Sequence, residues 1–136
     1  MLAQYLVAYG VTATAFLLLD FLWLSYVARQ FYWAELGDIL LERPHLGVAV
    51  MFYLVYVVGI VIFAVAPSLR DGSAVSALIF GALFGFFAYA TYDITNLATL
   101  KNWSISVTVV DILCGTCLTG LASVVGYSAT RAIFAA

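Results

Sequence analysis

Charge is what this sequence has least of. Only 9% of its 136 residues are charged, with Lys and Arg numbering 5 and Asp and Glu 7, against about a quarter in an ordinary soluble domain. A chain this poor in charge cannot dress a water-facing surface. Its net charge of −2 is spread thinly, so no basic face is available to a phosphate backbone, and no glycine-rich phosphate loop follows a strand. Nucleic-acid and nucleotide binding are therefore disfavoured. Histidine is represented only by His45, and neither a Ser-His-Asp set nor an H-E-x-x-H motif is present, which removes the common hydrolase and zinc-protease chemistries. His45, next to Pro44 at a helix start, reads as an interfacial hydrogen-bonding residue. An enzyme is the less favoured class; a lipid-active enzyme with an Asp as acid or base ranks third.

Cysteine is nearly as scarce. Cys114 and Cys117 form a C-x-x-C, but a redox pair of that spacing works at an exposed helix start, where the helix dipole stabilises the thiolate. Here both fall inside an apolar stretch and read as packing residues. No metal site or cofactor is expected; a bound lipid or pigment stays open. Proline is confined to Pro44 and Pro67, each placed at a helix boundary: Pro44 in the first turn of a second helix, Pro67 with Gly72 at the break between a second and a third.

What the sequence has in abundance is apolar length, 66% of residues being hydrophobic. A span needs roughly 20 mostly apolar residues, and four stretches qualify, at about 2–27, 46–66, 74–100 and 105–134. The chain reads as one integral membrane domain, an all-α bundle of four transmembrane helices. The first stretch is too long for a signal-peptide core, has no Lys or Arg before it and carries Asp20, so it reads as retained. Between the first two spans, Phe31, Leu36, Ile39 and Leu40 alternate with Glu35, Asp38, Glu42 and Arg43, which predicts a short amphipathic segment at the membrane surface. With four spans both termini share one side with Arg70, while Arg29, Arg43 and Lys101 share the other; so few cations give only a weak lean towards a cytoplasmic amino terminus.

Alternating spans decide where the unusual residues meet. Asp20 lies seven residues before 27, Asp93 seven before 100 and Asp111 seven after Ser104, the expected cap of the last helix. At about 1.5 Å per residue, all three sit roughly 10 Å below the same membrane face. A carboxylate at mid-membrane costs about 2.5 to 3.5 kcal/mol on insertion scales, so these acids should turn into the bundle, where they would titrate as a coupled set. Helical spacing adds neighbours: Trp23 three after Asp20, Tyr89 four before Asp93, Asn96 three after it, and Cys114 and Gly115 after Asp111. Tyr92 adjoins Asp93, and Lys101 lies at the mouth with Arg29 and His45. The candidate pocket is thus Asp20, Trp23, Tyr89, Tyr92, Asp93, Asn96, Lys101 and Asp111. It would take a proton, a cation or the head of a lipid-like molecule. Against it stands a structural reading, in which the acids only fix helix register through hydrogen bonds. The rival function is a ligand-free accessory subunit of a larger membrane complex. Gly81 and Gly85, with Gly115, Thr119 and Ser123, form small-residue stripes for close helix contacts and leave a homodimer seam open; membrane lipids are the other expected partners.

The chain resembles a family of small bacterial membrane proteins known mainly as a conserved domain of unknown function. The resemblance rests on "LDFLWLSYVARQFYWAELGDIL", "FYLVYVVGIVIFAVAPSLRDGS" and "GALFGFFAYATYDITNLATLKNWSISVTVVDILCGT", nearly the full length. The residues that look typical of it are Asp20, Trp23, Tyr92, Asp93, Thr95, Asn96, Leu97, Lys101, Trp103 and Asp111, while Cys114 departs from its pattern. The resemblance implies four transmembrane helices and an inner-membrane home, and supplies no established activity.

Overall fold

A computed structural model describes residues 1–135. Among the described residues four helices are long and apolar enough to cross a membrane: α1 (Leu2–Leu36), α2 (Leu46–Asp71), α3 (Ala74–Thr99) and α4 (Ile105–Phe134). They pack up and down, α3 and α4 most extensively, with α1 against α4 and α2 closing the bundle. This is the expected all-α four-span architecture.

Ordinary signals set most of the helix ends. Ser73 and Ser104 cap α3 and α4, their hydroxyls accepting the backbone N–H of Ser76 at 3.2 Å and of Val107 at 3.1 Å, which satisfies donors that a helix start leaves unpaired. Gly72 ends α2 in the left-handed conformation, φ 69°, where a Cβ would be strained. Between α3 and α4, Asn102 takes the same conformation at φ 60°, as asparagine tolerates better than most residues.

Two helices run further than their apolar patterns suggest. α1 does not stop near Val27 but passes through a π-helical turn, Trp23–Ala28, and continues over Arg29–Leu36. The amphipathic stretch is therefore in its first half an extension of α1 rather than a separate helix; Leu36 is buried there. α2 likewise continues through Pro67 to Asp71. A π-helical turn, Val61–Val65, directly precedes that last segment, and its wider spacing relieves the clash a proline ring makes with the preceding turn. Pro44 lies just before the cap residue His45 rather than in the first turn of α2.

Small residues let α3 and α4 approach. A Cβ at Gly85 would come to 2.7 Å from the backbone oxygen of Gly115 and 2.7 Å from Thr119 Cβ, and one at Gly81 would strike Ser123. The Gly81/Gly85 and Gly115/Thr119/Ser123 stripes face one another inside the chain, the close contact expected of such residues in lipid. Phe16, Val57, Ile60, Ala64 and Val65 form a fully buried apolar plug.

Candidate functional site

Above that plug each helix turns one face towards a common space. α1 contributes Asp20, Trp23 and Leu24, α2 Ala49, Phe52, Tyr53 and Tyr56, α3 Ala88, Tyr89 and Tyr92, and α4 Asp111, Cys114 and Leu118. Their spacings of three, four and seven are those of residues on one helical face. Together they line a half-open cavity of about 370 Å³, within the size range of small-molecule sites, with Leu24, Phe52 and Tyr92 exposed at its edge.

The walls follow from the packing. Gly115 has no side chain, and the space a Cβ would take is filled by the ring of Tyr89, which is thereby pressed against α4 one turn from Asp111. Tyr56 is buried, donates or accepts a 2.9 Å hydrogen bond with Thr119 and stacks on Phe84, with ring centroids 5.3 Å apart. Phe16 meets Tyr53 and Tyr56 edge-on and tilted, at 5.7 and 5.3 Å. A tyrosine floor fixed on both sides is a rigid wall.

A second cavity of about 620 Å³ lies towards the end where α1 leaves the bundle, among Arg29, Trp33, Leu36, Leu40, Glu42, Pro44, Trp103 and the acids Asp93 and Asp111. Leu24, Tyr92 and Asp111 line both spaces, so they form the partition. Its rim is braced across the chain. Ser104 donates to Glu35 Oε2 at 2.6 Å, the Trp103 indole donates to Thr108 at 3.1 Å, and Tyr92 meets the Trp103 ring edge-on at 5.8 Å.

The acids are not equally provided for. Tyr32 donates its hydroxyl hydrogen to Asp111 Oδ1 at 2.8 Å, a bond made possible by the continuation of α1 past the π-helical turn. Tyr53 lines the same cavity as Asp20. Asp93 is fully buried and faces Asp111, yet neither of its oxygens has a hydrogen-bond partner. No Lys, Arg or His is among the residues lining the first cavity, and the second has Arg29 at its wall. Among the described residues no group of three or more His, Cys, Asp or Glu is arranged to hold a metal ion.

Of the candidate residues, Asp20, Trp23, Tyr89, Tyr92 and Asp111 line the first cavity, and Asp93 joins Tyr92 and Asp111 at the second. Asn96 and Lys101 line neither; Asn96 is half-buried and Lys101 exposed. Sequence reasoning missed the whole α2 face. Its signal was there, since Ala49, Phe52, Tyr53 and Tyr56 repeat at helical spacing within an otherwise aliphatic run. Cys114 lines the cavity and Cys117 is exposed, both as free thiols.

No curated protein and no solved structure matches the chain. A family model does, over residues 5–128, and with so much of its length matched the chain belongs to that family, described as "Predicted membrane protein (DUF2177)".

Proposed function

We propose that this membrane protein binds an amphipathic small molecule inside the bilayer, apolar body in the aromatic cavity and polar head at the acids. One observation carries the reading: a cavity of about 370 Å³ walled by Trp23, Phe52, Tyr53, Tyr56 and Tyr89 has carboxylates, Asp20 and Asp111, as its charged groups. Acids this expensive to place in lipid at the end of an apolar chamber suit a ligand with two unlike ends. Holding is favoured over passage. Beyond Tyr56 the way to the far face meets the fully buried Phe16, Val57, Ile60, Ala64 and Val65, and the hydroxyls of Ser68 and Ser123 turn back on carbonyls of their own helices at 2.7 Å each. Helical spans rather than barrel strands support an inner, cytoplasmic membrane as its home.

The native Cys114 thiol offers the test. A small membrane-permeant maleimide should label Cys114 in purified protein. Ala49→Trp, which fills the chamber from α2, should suppress that labelling and leave lipid-facing Cys117 reacting as before. Equal labelling of Cys114 with and without the tryptophan would remove the cavity as a ligand site and favour the accessory-subunit reading.

A further inference from the structure

The unequal provision of the acids says what kind of head the ligand carries. Asp111 has the Tyr32 hydroxyl and Asp20 shares its cavity with Tyr53, whereas Asp93 is fully buried with no donor at either oxygen. It stands at the wall of the second cavity beside Asp111, which belongs to both cavities. A carboxylate away from water needs charge compensation and hydrogen-bond donors together. Arg29, the cation of that chamber, makes no hydrogen bond to it.

Resting on the binding function above, we infer that the ligand is an amphipathic amine whose protonated, N–H-bearing head is held between Asp93 and Asp111 at the partition, while its apolar body occupies the chamber of Trp23, Phe52, Tyr53 and Tyr89. A primary ammonium or a guanidinium meets the requirement, since each brings positive charge and several donors. A quaternary ammonium brings charge to the aromatic walls but no donor for Asp93. A neutral alcohol brings a donor without charge, and an anionic head would face three acids. The partition explains how one molecule serves both cavities: the head sits where Leu24, Tyr92 and Asp111 are shared, and the body runs inward.

Titrating octylamine, octanol and octyltrimethylammonium into the unaltered protein in phosphatidylcholine nanodiscs tests this, with the heat of binding measured by calorimetry against empty nanodiscs as the readout. Octylamine should bind about tenfold or more tightly than either other probe, as a charged hydrogen bond allows. Asp93→Asn should bring octylamine within about threefold of octanol while octanol binding, and with it the cavity, persists. Repeating the titration with phosphatidylethanolamine present separates two sources of the same chemistry: competition places the amine on a lipid headgroup, its absence on a free amphipathic amine, and either supports the inference. Octanol and octylamine binding equally, both abolished by Ala49→Trp, would overturn the amine head and leave the cavity function intact. A preference for octylamine that Asp93→Asn does not change, or loss of both probes in that variant, would overturn the role given to Asp93. Failure of every probe to bind the unaltered protein would overturn the binding function as well.

Discussion

Asp93→Asn should stabilise the ligand-free protein. Removing a buried acid normally breaks contacts, but the Asp93 carboxyl is fully buried, finds no hydrogen-bond donor for either oxygen and has another acid, Asp111, as its polar neighbour. A buried polar group left unmet costs about 1 to 3 kcal/mol. An asparagine of the same shape carries two N–H donors, placed to bond the facing carboxylate, and side-chain hydrogen bonds within membranes average about 0.6 kcal/mol with a maximum near 1.7. The substitution should therefore raise unfolding free energy by about 0.5 to 1.5 kcal/mol. Unfolding in mixed micelles by increasing SDS fraction, followed by tryptophan fluorescence, measures it. Asp111→Leu supplies the opposite control, because it leaves the Tyr32 hydroxyl without its 2.8 Å acceptor and should destabilise. A loss of about 1 kcal/mol or more in Asp93→Asn would refute the reasoning, since it would mean that the acid holds the helices in register and is not kept for a ligand.

Other consequences follow from the packing. Gly85→Ala should destabilise by about 1 to 3 kcal/mol, because its methyl would sit 2.7 Å from a backbone oxygen that cannot swing aside, whereas Gly10→Ala, with nothing within 4 Å, should be neutral or slightly stabilising; the same SDS titration ranks them. Tyr56→Phe loses the 2.9 Å bond to Thr119 and should cost about 0.6 kcal/mol, much less than Tyr56→Ala, which also removes the cavity floor. Ser104→Ala removes both the cap of α4 and the donor to Glu35; it should cost about 1 kcal/mol and speed hydrogen exchange at the backbone N–H of Val107.

The span cores were legible because lipid demands apolar length, and the starts at Leu46, Ala74 and Ile105 because the Pro44-His45 pair, the break at Pro67 and Gly72, and the capping Ser104 mark them. The ends of α1 and α2 were not. Ser25, Arg29 and Gln30 signal departure from the apolar layer, but leaving the layer is not leaving the helix, and the π-helical turn at Trp23–Ala28 lets α1 redirect and carry Tyr32 over Asp111. Pro67 reads as a stop only when a regular helix precedes it. The acids were visible for an energetic reason, since a carboxylate in a span is too costly to be incidental. Tyr53 and Tyr56 were not, because tyrosine is common in membrane helices and only its placement on the Ala49 face distinguishes it. Asn96 has the right spacing from Asp93 but is half-buried without lining either cavity, and Lys101 falls in the exposed turn after α3.

Mass spectrometry of protein released gently from its own membrane, with Ala49→Trp alongside, bears most directly on the claim that the inward-turned acids and aromatic walls form a ligand chamber. The account predicts one amine-bearing amphipathic molecule per chain on the unaltered protein and its absence from the filled-chamber variant. Bare protein, or the same bulk lipids on both, would contradict it.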